Sequence, residues 1–303
     1  MGAGRMGTAM ALRLLDQGCD LAAYNRTRAK LDALVGAGAK PVDSPADLAT
    51  RDIVFVTVGS SEDLLAVLDS EAGLLSGGSV PSVVVDCSTV STEASADARA
   101  LLEARGAAFL AAPVSGNPKV VAGGKLTMAV SGPREAFEVA EPYLAMIGRG
   151  VTYVGGGEVA RLVKICHNLL LGVVIQSLTE ILVLAEKGGV RRQDLLAFVN
   201  DSVMGSLFTR YKSPALVNLD FTPTFTTKLL RKDFDLGLAA ARESGVSMPV
   251  AALVHEIVQA GIGEGLGDDD FASLLLVTAR AAGLGLTSEE TAVADGLSAG
   301  ATT

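Results

Sequence analysis

The sequence predicts a doubly wound α/β domain followed by an all-helical domain, with one long helix joining them. Three observations predict it. In the first half, short apolar runs alternate with amphipathic stretches, the pattern of a mainly parallel sheet covered by helices. The alternation stops at Gly155-Gly156-Gly157, beyond which only helical periodicity remains. Between the two regimes a proline-free helical stretch runs from Glu158 to Lys187, about 45 Å at 1.5 Å per residue. The chain therefore divides into an α/β domain over 1–155, a helical domain over 156–286, and a flexible tail of small and polar residues over 287–303.

Each element follows from its local pattern. The apolar runs Leu21–Tyr24, Ile53–Val58, Val83–Asp86, Ala107–Leu110, Leu126–Val130 and Val151–Val154 read as strands. The amphipathic segments Met6–Gln17, Thr27–Gly36, Ser61–Leu68, Thr92–Arg105 and Pro133–Met146 read as the helices between them. No internal repeat at solenoid spacing interrupts this order.

Composition narrows the function. Apolar residues are 49% and charged residues 19%, enough for a core and far from a disordered composition. Aromatics are only 4%, with no Trp, so base-stacking platforms are scarce. The net charge of −9 repels phosphate backbones, which speaks against nucleic-acid binding but leaves room for a small anionic ligand in a locally basic pocket. Three widely spaced cysteines, Cys19, Cys87 and Cys166, suit neither a disulfide framework nor a zinc motif, and a reduced cytoplasm is the expected compartment. The most apolar stretch, Leu169–Ile175, is broken by Gln176, Ser177, Thr179 and Glu180, short of the roughly 18–20 residues of a membrane span. No basic-then-apolar signal peptide opens the chain.

Residues Gly2-Ala3-Gly4-Arg5-Met6-Gly7 read G-x-G-x-x-G ahead of a helix faced by Met6, Met10 and Leu14. Gly2 suits a tight turn, Gly4 a close approach to a pyrophosphate, and Gly7 close packing of helix on sheet. The helix N-terminus adds free N–H groups for phosphate oxygens. This is the loop of a Rossmann-type sheet, yet that loop follows a strand and only Met1 precedes Gly2. The expectation is a truncated first strand; the alternative is a fold that tolerates its loss and binds cofactor weakly. About 20 residues on, where an acidic residue reads the ribose of NAD, the chain has Asn25-Arg26-Thr27. A neutral amide, a guanidinium and a hydroxyl favour the 2′-phosphate, hence NADP(H) over NAD(H). The same residues also suit a plain surface turn with Thr27 capping a helix.

Three further segments carry chemistry. Asp86-Cys87-Ser88-Thr89 closes a strand, at the end where ligands bind in open α/β sheets. Ala112-Pro113-Val114-Ser115-Gly116 follows another strand. Lys164-Ile165-Cys166-His167-Asn168 places Lys164 and Asn168 at i, i+4 on a helix face shared with Leu171 and Ile175. A lysine in an apolar stripe needs a partner or must snorkel, and desolvation would lower its pKa toward the range of proton transfer. A solvated lysine is the competing reading.

With these motifs the chain resembles the β-hydroxyacid dehydrogenases, the family of 3-hydroxyisobutyrate dehydrogenase, tartronate semialdehyde reductase and glyoxylate/succinic semialdehyde reductase. The likeness covers residues 2 to about 285 and includes Lys232-Asp233 before an Ala-rich helix and Gly267-Asp268-Asp269-Asp270-Phe271. The resemblance implies Lys164 as general acid/base, Asn168 orienting it and the substrate, and Ser115 with the Gly116 backbone holding a substrate carboxylate. It further implies Thr89, Val58 and Gly59 beside the nicotinamide ribose, Lys232 approaching the cofactor, and Gly2, Gly4, Arg5, Met6, Gly7, Asn25, Arg26 and Thr27 on the dinucleotide, with no metal. The expected substrate is a small carboxylate-bearing aldehyde or hydroxy acid, and the expected state a homodimer or homotetramer. Asn117-Pro118 stands where the family often has glycine, Thr92 where it often has proline, and His167 where it often has Asn. Asn117 could add an amide to carboxylate recognition or narrow the pocket. His167 lies about 100° around the helix from Asn168 and reads as packed or exposed, and His255 reads as structural. The rival readings are an imine reductase of the same superfamily, against which Lys164 argues, and a non-catalytic dinucleotide-binding scaffold, against which Lys164, Asn168 and Lys232 argue together. A phosphogluconate dehydrogenase would need a larger helical domain.

Overall fold

The computed structural model describes residues 1–297. It falls into two compact units, Met1–Lys164 and the chain from Ile165 on. The division lies inside a helix, seven residues past the glycine run, because that helix's first turn is bonded into the first unit.

The first unit is a Rossmann-like α/β domain. Its six-stranded sheet starts with β3 (Ile53–Val56), β4 (Val83–Asp86) and β5 (Ala108–Ala111), parallel in the register Ile53↔Val83 and Val83↔Ala108. Val83, Val84 and Val85 are buried on both faces, as a central parallel strand requires. Helices α3 (Ser61–Leu68) and α4 (Thr92–Glu103) begin at serine caps, Ser60 Oγ accepting from Asp63 N at 3.1 Å and Ser91 Oγ from Ala94 N at 3.2 Å.

Beyond β5 the sheet turns mixed rather than staying mainly parallel. Strand β7 (Thr127–Ser131) is antiparallel to β5 and to the short β6 (Val114–Ser115), and parallel to β8 (Gly150–Gly155). The reason is the link: β5 reaches β7 through β6 and the five-residue α5 (Pro118–Ala122), too short for a crossover to a parallel neighbour. Helices α1 (Arg5–Asp16) and α6 (Arg134–Ile147) cover one face with Met10, Leu14, Phe137 and Leu144.

At its other edge the sheet is split. Strands β1 (Ala22–Ala23) and β2 (Lys40–Pro41) form a separate parallel pair, reached from α1 and followed by α2 (Asp32–Gly36) in the intervening link. Met1 and Gly2 bridge β1 and β3. The Met1 amino group donates to Phe55 O at 2.6 Å and its carbonyl accepts from Thr57 N at 3.0 Å, while Gly2 N donates to Tyr24 O at 2.9 Å.

The second unit is helical: most of α7 (Val159–Lys187), then α8 (Arg192–Asp201), α9 (Leu207–Asn218), α10 (Thr227–Glu243), α11 (Pro249–Gly261) and α12 (Leu274–Ala281). Ile175, Leu182, Leu216, Phe234, Val258 and Leu275 meet in its core. Helix α7 has the length and mean hydropathy (1.9) to cross a membrane, yet half of that window is buried within the protein, as in a core helix. Helices α7 and α10 approach through glycine: a Cβ on Gly172 would lie 2.2 Å from Phe234 Cε2, and one on Gly237 2.5 Å from Leu169 Cδ1.

The segment from Thr287, expected as a flexible tail, is tied down as far as the described residues go. Glu289 accepts from Arg192 N at 2.7 Å, and Asn218 exchanges hydrogen bonds with the Thr291 backbone at 2.8 and 3.0 Å. The buried Arg192 guanidinium collects Leu216 O, Val217 O, Thr287 O and Glu186, partners that local periodicity does not reveal. Residues 298–303 of that expected tail lie outside the described residues.

Gly172→Ala should lower the unfolding free energy by about 1–2 kcal/mol, because overpacking against Phe234 outweighs the roughly 1 kcal/mol that Ala gains over Gly in a helix. Urea unfolding of the variant checks this; a more stable variant would show that Phe234 can move aside.

Candidate active site

The glycine loop has the geometry its spacing implies. Gly2 has φ +89°, and a Cβ there would lie 2.0 Å from Thr57 O. A Cβ on Gly7 would lie 1.9 Å from Gly2 O, so α1 leaves the loop in close contact with it. Gly4 faces open space, with no atom within 4 Å of a Cβ. Gly4 also sits at the N-cap of α1 with no side-chain cap, which leaves the first-turn N–H groups for a ligand. Arg5 is exposed and Met6 half-buried in that turn.

Strand β1 delivers the next three candidates. Asn25 Oδ1 accepts from Ala3 N at 2.9 Å, and its Nδ2 donates to Thr27 O at 2.9 Å. Its amide thus braces the glycine loop and the following turn. Arg26 is exposed and pairs with Asp63 of α3 at 3.2 Å. Thr27 stands at the N-cap of a 3-10 turn, Arg28–Leu31, without a side-chain capping bond, so the capping reading holds for its position and not for its hydroxyl.

The loops after β3 and β4 are fastened together. Val58 N donates to Ser88 Oγ at 2.9 Å, and Ser88 N to Asp86 Oδ1 at 3.1 Å. Gly59 and Thr89 are exposed beside this link. Burial, reinforced by the Asp86 charge, pushes the Cys87 thiol far up, which removes it as a nucleophile. Ser115 ends β6 opposite Thr127, and Gly116 follows with φ +141°, where a Cβ would lie 2.8 Å from Val120 Cγ1. Asn117 is buried and spends its Oδ1 on Val120 N at 3.1 Å as the cap of α5. Its oxygen serves as a structural cap here.

The first turn of α7 is held by a residue that sequence reasoning passed over, Arg161. Its guanidinium donates to Ser88 O at 2.6 Å, to Ser95 Oγ at 3.0 Å and to the Asp86 carboxylate; Arg161 and Asp86 are 2% and 0% exposed. Ser131 Oγ accepts from Ala160 N at 3.1 Å, and Arg99 pairs with Glu158 at 2.6 Å. Lys164, half-buried, stands one turn beyond Arg161 on this anchored helix end. The sequence did carry a signal: an acid closing the apolar run Val83-Val84-Val85 demands a buried cation.

In the second unit, Asn168 Nδ2 donates to Asp233 Oδ2 at 2.5 Å, and His167 Nδ1 lies 2.9 Å from Asn168 Oδ1. Asn168 and Asp233 are buried and His167 is half-buried. Lys232, next to Asp233 on α10, is exposed. Asp233 is a second residue that sequence reasoning left without a role. His255 pairs with Asp235 at 2.8 Å, away from this cluster in sequence and on exposed groups. Among the described residues no group of three His, Cys, Asp or Glu is placed to hold a metal ion.

Residues 1–155 match the family model of the NAD binding domain of 6-phosphogluconate dehydrogenase, and residues 159–278 that of the NAD-binding region of NADP-dependent 3-hydroxyisobutyrate dehydrogenase. The chain belongs to the β-hydroxyacid dehydrogenase family. Glyoxylate/succinic semialdehyde reductase 2, chloroplastic, of Arabidopsis thaliana is 32% identical over 276 residues, 91% of this chain and 77% of that protein. The 2-(hydroxymethyl)glutarate dehydrogenase of Eubacterium barkeri is 31% identical over 286 residues, 94% of this chain and 95% of that one. A solved 3-hydroxyisobutyrate dehydrogenase from Salmonella typhimurium superposes with a TM-score of 0.80 at 25% identity, covering 91% of this chain and 97% of that chain. This β-hydroxyacid dehydrogenase is thus an oxidoreductase with an NAD(P)-binding first domain, and the open space at Gly4 beside the N-terminus of α1 fits a dinucleotide pyrophosphate.

Replacing Arg161 with Met should leave Asp86 buried without its cation and lower stability by about 3–5 kcal/mol, the usual cost of breaking a buried pair from one side. Urea unfolding reads it. A loss under about 1 kcal/mol would mean that Asp86 finds another partner or takes up a proton.

Proposed function

We propose that this family member interconverts a small carboxylate-bearing aldehyde or keto acid and the corresponding hydroxy acid, with NADP(H) as the preferred dinucleotide. The observation that carries the reading is Lys164, a half-buried amine on a helix end fixed by the buried Arg161–Asp86 pair. Gly4 and the first N–H groups of α1 would hold the pyrophosphate. Arg26 and Thr27 would hold the 2′-phosphate, with Arg26 exchanging its exposed partner Asp63 for the more highly charged group. Val58, Gly59 and Thr89 would border the nicotinamide ribose, and Lys232 would approach the cofactor from the helical unit. The dinucleotide, when bound, supplies hydride-transfer chemistry to the substrate carbon.

The protein's own part is binding and proton transfer. Ser115 Oγ and the Gly116 N–H would bind the substrate carboxylate. Lys164 Nζ would donate a proton to the carbonyl oxygen in reduction and take it back in oxidation. Asn168 would orient lysine and substrate, its amide held in one orientation by Asp233. The exposed apolar residues Leu162, Leu170, Ile181 and Leu184 along α7 support association into a homodimer or homotetramer.

A spectrophotometric screen of short semialdehydes and keto acids, each with NADPH and NADH, tests the reading. Turnover confined to cyclic imines would move the assignment to imine reduction, and tight cofactor binding without any turnover would favour a scaffold. Lys164→Ala should lower turnover by about 10²–10⁴, the span of a lost proton donor, with cofactor affinity little changed; normal turnover would remove Lys164 from the mechanism. Arg26→Ala should weaken NADPH by about tenfold or more, as expected for a charge-assisted phosphate contact, and leave NADH nearly untouched. Fluorescence titration of both cofactors measures it, and equal losses would refute the phosphate assignment.

A further inference from the structure

The turn after β1 carries two guanidiniums, and a carboxylate from elsewhere in the first unit pairs with each. Arg28 meets Asp43, in the link that follows β2. Arg26 meets Asp63, in the first turn of α3, at 3.2 Å. Asn25, at the strand end where an NAD enzyme keeps its acid, is a neutral amide engaged with Ala3 N and Thr27 O. An acid reaches this turn from α3 instead.

The two acids differ in how firmly they are placed. The Asp43 side chain is 87% exposed, so it can turn away into water. That of Asp63 is 37% exposed. The Asp63 N–H donates to the Ser60 cap at 3.1 Å, and its Oδ2 lies 3.5 Å from where a Cβ on Gly59 would stand. The carboxylate is thus set against the loop after β3, and the first turn of a helix favours a negative side chain. Arg26 is the partner with room to move, 86% exposed on a long side chain. When its guanidinium turns to another anion, Asp63 stays where it is.

We propose that Asp63 is a specificity-determining residue for the dinucleotide, one that acts against the 2′-phosphate, a role that rests on the assignment of Arg26 to that phosphate. Asp63 competes with the phosphate for Arg26 and repels it, so the preference for NADP(H) over NAD(H) is smaller than Arg26 and Thr27 alone would give. A ribose phosphate carries about −1.5 to −2 charges near neutral pH, whereas an unphosphorylated ribose leaves the Arg26–Asp63 pair intact. An exposed ion pair is worth up to about fivefold in an equilibrium. Repulsion between the phosphate and the fixed carboxylate adds to that, and salt weakens both. Asp43 has no comparable effect, because its solvated side chain withdraws as the phosphate approaches.

Fluorescence titration of NADPH and NADH onto the full chain tests this role. Asp63→Asn, and likewise Asp63→Ser, should tighten NADPH by about threefold to tenfold and leave NADH within about twofold. The gain should shrink at high salt. Asp43→Asn should leave both cofactors within about twofold. In an Arg26→Ala background the gain from Asp63→Asn should fall by about half or more, because the contested guanidinium is gone. Adenosine 2′,5′-bisphosphate and adenosine 5′-monophosphate, titrated by calorimetry, should repeat the contrast, a readout free of the nicotinamide end and of turnover. NADPH binding within about twofold of the unchanged chain in both Asp63 variants, or an equal gain for NADH, would overturn the proposal. So would an equal gain from Asp43→Asn, which would mark a general effect of charge. If Arg26→Ala weakens NADPH selectively while the Asp63 variants change nothing, the phosphate assignment stands and only the role of Asp63 falls. If Arg26→Ala weakens both cofactors alike, both fall.

Discussion

The buried pairing of Arg161 with Asp86 is the contact on which the ligand-facing end of the first unit depends. A carboxylate at the end of a fully buried central strand is tolerated only with a cation and hydrogen bonds around it. Arg161 supplies both and uses the rest of its donors on Ser88 O and Ser95 Oγ. Ser88 passes the constraint on by accepting from Val58 N. One guanidinium therefore fixes the loop after β3, the loop after β4 and the first turn of α7. A flexible amine such as that of Lys164 gains a defined place only because the helix below it cannot shift.

The second unit reaches the same end by close approach. With hydrogen at Gly172 and Gly237 in place of side chains, α10 lies against α7 near enough for Asn168 to meet Asp233 directly. The last residue of the acidic run Asp268-Asp269-Asp270 is explained by packing as well, while Asp268 pairs with Lys228 at the surface. Asp270 is buried, pairs with Lys212 at 2.6 Å and accepts from Thr224 and Ala272. Burial pulls the Lys212 ammonium down while Asp270 holds it up. This buried pair serves the fold of the helical unit.

The fold was largely legible because its strands are continuous apolar runs. Val83–Asp86 and Ser61–Leu68 coincide with their patterns to the residue. Strand β2, strand β6 and helix α5 were missed because two to five residues carry no measurable period. The antiparallel turn of the sheet followed from those missed elements. At the site, backbone-driven features were visible: Gly2, Gly7 and Gly116 each occupy a place where a side chain would collide. Polar roles were harder. Asn25 and Asn117 have the chemistry of ligand contacts, yet each is occupied with a backbone N–H that only the folded chain brings near. Arg161 was hidden for the same reason, since its partners lie 66 to 75 residues away.

The Arg192 hub ties together parts of the second unit made at very different times. The backbone N–H of Arg192 finds its acceptor in Glu289, 97 residues later. At ribosomal speeds of about 5–20 residues per second, that acceptor follows by roughly 5–20 s. Throughout that interval the nascent helical unit carries a cation whose buried surroundings are incomplete, and the compact state gains its full advantage only afterward. The helical unit is thus committed to late closure during synthesis, and exposure to chaperones and proteases would be greatest in that window.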